Sequence, residues 1–296
     1  MEEKENAKIT NRNYNTISPS AKSLLLMKGY TNIPFARRTA ELMMHPEKYS
    51  PDFSKKDMTF WARVLHFENR YWSINQLLTE LPIKNILELS SGYSFRGLET
   101  IKNEGIHYID TDLSELITAK KALVEVLQQE NNNTKGRLEL LPLNALDEIK
   151  FKDVVNRFPE GEIAIVNEGL LMYLDANEKE KLCSIIHKIL KERGGYWITA
   201  DIYLKNQIEK LNLKIDKSTK DFFEQHNIEE NKFNSFEEAK MFFDKAGFII
   251  DKEANIESSK LSALKYLKEC VTTEQLTKMG KAGKIQATWR LRVEAK

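Results

Sequence analysis

The sequence predicts an α/β protein built on a mostly parallel, doubly wound sheet. Short apolar segments of strand length alternate with amphipathic helical segments five times between residues 85 and 202, which is the pattern of successive βαβ units. Before them, about 80 residues carry helical periodicity and no strand signal. The chain has 296 residues, of which 41% are hydrophobic and 30% charged, enough for one sizeable core with a well-solvated surface.

Residues 1–17 are polar and expected to be a flexible N-terminus. Residues 18–82 read as a helical extension. In it, Ala21, Leu24, Leu25 and Met27 share one helical face, Gly29-Tyr30 breaks the pattern, and Pro34 opens a second helix. A third helix is expected over 57–81, with Phe60, Val64, Phe67, Tyr71, Ile74, Leu77 and Leu78 at helical spacing. The Rossmann-like domain is expected to fill 83–296. NILELS (85–90) and IHYID (106–110) are its first strands, separated by a short helix ending at Gly105. SELITAKKALVEVLQQ follows as a helix, with Ser114 as N-cap and Leu116, Ala119, Leu123, Val126 and Leu127 turned inward. RLELLPL (137–143) and EIAIVNEGLLMYL (162–174) are the third and fourth strands. A helix with Leu182, Ile185, Ile186, Ile189 and Leu190 on its apolar face then ends at Gly194-Gly195, before the fifth strand YWITADI (196–202). Residues 204–234 read as a helical insertion placed as a lid. Ser235 and Glu238 form a capping box for a helix closing at Gly247. FIIDKEANI (248–256) is a sixth strand, and the alternating ATWRLRVEA (287–295) is a seventh, placed on a sheet edge.

Basic and acidic residues number 45 and 44, so no global field recruits nucleic acid or an anionic membrane. Cys183 and Cys270 read as reduced thiols, and the N-terminus has no apolar signal-peptide core. The expected setting is cytoplasmic. The five histidines, at 45, 66, 107, 187 and 226, show no metal-ligand spacing with one another or with the cysteines, so no metal is expected.

In an open parallel sheet, ligands sit outside the carboxyl ends of the strands at the topological switch point. The first strand delivers Glu88-Leu89-Ser90-Ser91-Gly92-Tyr93-Ser94 there. This loop lacks G-x-G-x-x-G, so it makes a poor diphosphate cradle, and an acid at Glu88 repels phosphate. A cofactor with an amino-acid end and no phosphate fits better. The second strand ends in Asp110-Thr111-Asp112, placed to meet a ribose diol. Capping of the next helix competes as an explanation for either acid. After the third strand, Leu143-Asn144-Ala145-Leu146-Asp147 offers polar groups to a base edge, although Asn and Asp also simply make turns.

ILELSSGYSFRGLE, YIDTDLSELI and NEGLLMYL, in that order, are similar to the leucine carboxyl methyltransferase family, which includes protein phosphatase carboxyl methyltransferases and polyketide O-methyltransferases. The likeness spans residues 18 to 203. It implies a class I methyltransferase: a mostly parallel seven-stranded sheet, helices on both faces, S-adenosylmethionine at the carboxyl edge and S-adenosylhomocysteine as product. Carried onto this sequence, it puts Glu88 and Gly92 by the methionine part and Asp112 by the ribose, with Ser90, Asp110 and Leu113 also expected to bind the cofactor. Asn144 and Ala145 border the adenine, and Glu168 lies near the transferred methyl, with its neighbours Asn167 and Gly169 also expected to bind the cofactor. Arg70, with Arg63 second, pairs with the cofactor carboxylate. Two family glycines are serines here, and the usual Asp-Leu-Arg is Asn144-Ala145-Leu146.

Methyl transfer from a sulfonium mainly requires alignment and exclusion of water. A carboxylate acceptor needs no base, whereas a hydroxyl acceptor does. The acceptor-side candidates are Tyr173, Tyr203 and Tyr30, each also readable as an ordinary core or rim aromatic, with Arg37 and Arg38 for an anionic acceptor. The expected activity is O-methylation of a carboxylate or hydroxyl on a small molecule. Methylation of a protein C-terminus is a narrower alternative, and a non-catalytic cofactor- or partner-binding module on the same fold is a different one. A dehydrogenase lacks its phosphate fingerprint. Acceptor identity and oligomeric state stay open.

Overall fold

The computed structural model describes residues 18–54, 57–131, 133–206, 217–275, 277 and 283–294. Seven strands form one sheet: β1 (Asn85–Leu89), β2 (His107–Asp112), β3 (Arg137–Pro142), β4 (Ile163–Asn167), β5 (Gly195–Tyr203), β6 (Phe248–Glu253) and β7 (Gln286–Val293). Their order is β3-β2-β1-β4-β5-β7-β6. The first five pair in parallel, while β7 pairs antiparallel with both β5 and β6. The chain leaves β1 toward β2 on one side and returns to β4 on the other, so the switch point lies at the carboxyl ends of β1 and β4.

The helices are α1 (Ser18–Lys28), α2 (Ala36–Met44), α3 (Met58–Thr79), α4 (Arg96–Thr100), α5 (Ser114–Glu130), α6 (Glu148–Val155), α7 (Ala176–Arg193), α8 (Lys217–Gln225), α9 (Phe236–Lys245) and α10 (Leu264–Cys270). One face of the sheet packs on α6, α7 and α9 through Phe151, Leu182, Ile186 and Phe243. The other packs on α1 through α5 by way of Leu25, Ala36, Ile74, Leu98 and Val124. A smaller cluster of Trp61, Val64, Ala263 and Leu267 joins α3 to α10. Glu68, buried in α3, fixes that junction: it accepts hydrogen bonds from Ser262 N (2.9 Å) and Ala263 N (2.8 Å) at the start of α10.

Four elements differ from the sequence expectation. The fourth strand stops at Asn167 rather than running to 174, because the amides of Gly169, Leu170 and Leu171 turn to donate to Asp201 (2.6, 2.7 and 3.1 Å). The seventh strand is internal and β6 takes the edge. The polar residues of β7 meet partners instead of solvent: Thr288 accepts from Gln286 Nε2, and Arg290 donates to Asp251 and Glu80. In α5 the N-cap is Leu113, and the inward face is Leu116, Ile117, Lys120, Val124 and Leu127, with Ala119 exposed. Ser235 caps α9, but Glu238 reaches Asn234 N instead of closing a box. A full capping box occurs at Asp175–Glu178, heading α7. The expected flexible N-terminus, 1–17, lies outside the described residues, as does the 207–216 part of the insertion. Among the described residues no helix is long and apolar enough to cross a membrane.

Candidate functional site

A cavity of about 1140 Å³ sits over the carboxyl ends of β1, β2, β4 and β5 and is walled by α1, α3 and α8. Its floor is the switch-point crease: Ser90, Ser91 and Gly92 after β1, Asp112 and Leu113 at the end of β2, Asn144 to Leu146 after β3, and Glu168 to Leu170 after β4. Its roof is helical, with Lys28 from α1, Met58, Ala62, Arg63, His66 and Arg70 from α3, and Phe222 and Phe223 from α8.

The polar end is organised by buried charge. Glu168 accepts from Lys28 Nζ (2.7 Å) and Arg96 Nη2 (2.9 Å), with Arg70 Nη2 at 3.6 Å. Burial opposes ionisation of this carboxyl, but the three cations outweigh it and hold its pKa at about 2. Lys28 is held below its ordinary value by burial, which the pairing with Glu168 only partly offsets. Arg96 also meets Glu88 (3.4 Å), whose other oxygen accepts from Tyr108 Oη (2.7 Å). The Arg70 guanidinium is buried, and its Nε and Nη2 groups have no hydrogen-bond partner. Buried polar groups are rarely left in this state, so these donors point to an anion that completes the site. Gly169 makes their approach possible: its φ is +86°, and a Cβ there would sit 2.8 Å from Arg70 Nη2.

The loop after β1 is shaped for close approach. Ser90 and Gly92 both take positive φ (48° and 54°), so a serine stands in the left-handed region where glycine is the usual occupant. Asp112 is buried and accepts from Gly92 N and Leu113 N, both at 2.7 Å. That uses one position on each oxygen and leaves acceptor capacity toward the cavity. Asn144 Oδ1 accepts from Leu146 N (3.0 Å), which folds the third loop into a tight turn at the cavity wall.

Of the residues singled out from sequence, Arg63, Arg70, Ser90, Gly92, Asp112, Leu113, Asn144, Ala145, Glu168, Gly169, Tyr173 and Tyr203 all line this cavity. Six do not. Asp110 is taken by Lys120 (2.6 Å) and by Ser91 Oγ beneath the loop. Glu88 is engaged by Arg96 and Tyr108. Asn167 braces β4 against β5 through Thr199 Oγ1 (3.0 Å) and Trp197 Nε1 (2.7 Å). Tyr30 packs edge-on against Phe53, Phe60 and Trp61. Arg37 is exposed on α2, 3.7 Å from Glu41. Arg38, its neighbour, is exposed and paired with Glu130. These correct the candidate roles of all six: buried partners consume Asp110, Glu88 and Asn167, Tyr30 joins the aromatic cluster, and α2 turns its arginines to solvent.

Sequence reasoning missed Lys28, His66, Arg96 and Asp201. His66 is hydrogen-bonded through Nε2 to Tyr203 Oη (2.8 Å) at the cavity wall. Asp201, buried in β5, gathers the three amides of the 169–171 turn and Asn167 Nδ2 (2.6 Å). An acid inside the apolar strand YWITADI was the available signal for it. Among the described residues no group of three or more His, Cys, Asp or Glu is arranged to hold a metal.

No family model and no curated protein matches the chain. Solved structures do. A DUF574 family protein from Streptomyces avermitilis superposes with a TM-score of 0.52 at 12% identity, over 92% of this chain and 97% of that one. The methyltransferase domain of bacterial CtHen1 superposes with a TM-score of 0.52 at 13% identity, over 78% of this chain and 100% of that one. The fold is the Rossmann-like methyltransferase fold. An O-methyltransferase family protein from Burkholderia thailandensis is also similar, at 12% identity and a TM-score of 0.47, over 81% of this chain but only 60% of its own length. The α/β sheet of this methyltransferase fold, with β6 and β7 as its antiparallel hairpin, therefore carries the crease described above.

Proposed function

We propose that the chain is an S-adenosylmethionine-dependent methyltransferase acting on an oxygen of a small molecule. The buried Arg70 Nε and Nη2 groups, which make no hydrogen bond, carry this reading. They sit with Lys28 at the switch point, where a cofactor bearing a carboxylate and no phosphate fits and a diphosphate does not. In this reading Arg70 and Lys28 hold the amino-acid carboxylate, Asp112 takes the ribose diol, and Leu113, Asn144 and Ala145 border the base. Bound S-adenosylmethionine supplies a methyl group activated by a sulfonium. The protein's own task is then to align the acceptor and keep water out. The cavity volume of about 1140 Å³ exceeds the ~300–1,000 Å³ of most single-ligand sites, which supports a second, small-molecule ligand beside the cofactor. The sequence motifs from Ile86 to Leu174 support the narrower likeness to leucine carboxyl methyltransferases. In this reading α8 and the helices before β1 act as a cover over both ligands.

Thermal unfolding with S-adenosylhomocysteine, S-adenosylmethionine, NADH and ATP tests the reading. Saturation at 100 times a ligand's dissociation constant adds ~2.7 kcal/mol of stability. Stabilisation by the two adenosyl-sulfur ligands alone is the expected result. Stabilisation by NADH alone, or by none of the four, overturns it.

A further inference from the structure

The helix α3 lies along the cavity like a ruler. Met58, Ala62, His66 and Arg70 face into it at successive turns, each turn advancing ~5.4 Å. Arg70 marks the end at Glu168, and toward the opposite end Met58, Ala62, Leu267 and Phe222 line the cavity together with Thr59 and Arg63. His66 stands one turn from Arg70 and meets Tyr203 from the end of β5 at 2.8 Å.

The direction of that hydrogen bond follows from its surroundings. Burial, with the Arg70 charge adding to it, lowers the pKa of His66 to about 3, so the imidazole is neutral and keeps one acceptor nitrogen. Burial raises the pKa of Tyr203 and keeps the phenol protonated, while Arg70 pulls the other way. A guanidinium beside a phenol draws the oxygen lone pairs toward itself and turns the O–H away. Tyr203 therefore donates to His66 Nε2, and its oxygen presents a lone pair rather than a proton. A lone pair at the cavity wall accepts an O–H, whereas a carboxylate has no proton to give it.

Resting on the methyltransferase reading, we infer that the acceptor is a neutral hydroxyl, and that Tyr203 and His66 relay its proton. The acceptor oxygen forms the new O–C bond, and the electron pair of the broken C–S bond stays with sulfur. The hydroxyl proton moves to Tyr203 Oη as the Tyr203 proton moves to His66 Nε2. One positive charge leaves sulfur and one appears on the imidazole, so the buried site gains no net charge. The charged and titratable groups facing His66 are Arg70 from its own helix, Tyr203 from β5, Glu168 after β4 and Lys232 before α9. Lys232 is itself paired with Glu229.

The test uses 1-naphthol and 1-naphthoate as matched neutral and anionic probes. Calorimetric binding of S-adenosylhomocysteine to wild type and His66→Gln comes first. Failure of the wild type to bind it sinks the cofactor reading, not the relay. With that ligand saturating, 1-naphthol is expected to bind at least about tenfold tighter than 1-naphthoate, a difference of ~1.4 kcal/mol. Methyl transfer to 1-naphthol is expected to fall ~100-fold in kcat for His66→Gln, the usual loss on removing a proton acceptor. KM and S-adenosylhomocysteine affinity are expected to change little, and Tyr203→Phe is expected to lower kcat as well. Naphthoate binding as tightly as naphthol overturns the substrate class. So does naphthol neither binding nor reacting while S-adenosylhomocysteine binds. An unchanged kcat and pH profile in His66→Gln overturns the relay.

Discussion

Replacing Glu168 by Gln removes the one carboxylate that touches Lys28, Arg70 and Arg96 together and changes the shape of the side chain very little. The folded-state pKa of about 2, against an ordinary 4.5, corresponds to roughly 3 kcal/mol at ~1.36 kcal/mol per unit. An independent expectation agrees: deleting one partner of a buried ion pair costs ~3–5 kcal/mol, because the charge left behind stays desolvated. Denaturant unfolding followed by circular dichroism measures the loss. A carboxyl depressed in the folded state stabilises above its unfolded pKa and ceases to as the pH falls through the folded one. Wild type is therefore expected to lose this increment between about pH 5 and pH 2, and Glu168→Gln to lack that part of the acid slope. Lys28 supplies a second signature. Burial already holds it below its ordinary 10.5, and Glu168 opposes that fall. Without Glu168 it drops further, the unfolded chain binds more protons than the folded one in the alkaline range, and the variant's stability rises with pH more steeply than that of wild type. A variant within about 0.5 kcal/mol of wild type at neutral pH, the range of ordinary surface changes, with an unaltered acid slope, would refute the account of this cluster.

Asp112→Ala and Asp110→Asn separate the two acids at the end of β2. The first is expected to abolish most stabilisation by S-adenosylhomocysteine. The second strands Lys120, costs ~3–5 kcal/mol of stability, and leaves S-adenosylhomocysteine affinity nearly intact; equal affinity losses in both would contradict the placement. Gly169→Ala combines a left-handed φ with a 2.8 Å approach to Arg70, so it is expected to cost ~1–2 kcal/mol of stability and to weaken S-adenosylhomocysteine binding in calorimetry. Glu68→Ala leaves the buried Ala263 amide and the half-buried Ser262 amide without an acceptor, the buried one at ~1–3 kcal/mol. Limited proteolysis is expected to open the 258–270 segment before the rest of the chain, and an unchanged cleavage order would speak against the clamp.

The strands and the crease were legible in the sequence because their signals are local. NILEL followed by serines and glycine, an acid at the end of the second strand, and Glu168-Gly169 after the fourth are each read within one loop. The charge network was not legible, because its partners lie far apart: Lys28 and Glu168 are separated by 140 residues, and Arg96 and Glu168 by 72. A lysine on a helix reads as a solvated residue, so Lys120 was passed over and the α5 face was misjudged, although Lys120 is buried against Asp110. Tyr30 and Arg37 failed the other way. They lie in the right segment, but the turn at 29–35 directs one into the aromatic cluster of Trp61 and the other to solvent. Helix periodicity tells which residues share a face, not which face meets the cavity.

The helices before β1 do more than shelter the crease, because they set its sign. The sheet edge alone offers Glu88, Glu168 and Asp201 against a single arginine, Arg96. Such an edge repels the carboxylate of an amino-acid cofactor. The packing of α1 and α3 adds Lys28 and Arg70 to these groups, and Arg70 Nε and Nη2 keep no hydrogen-bond partner. Anion affinity at this site therefore depends on the helices being seated. A carboxylate bound between Arg70 and Lys28, as proposed above, would in turn hold α1 and α3 on the sheet, since a ligand stabilises whichever state it binds. In the proposed reading, cofactor binding and the seating of α1 and α3 on the sheet are therefore expected to be coupled.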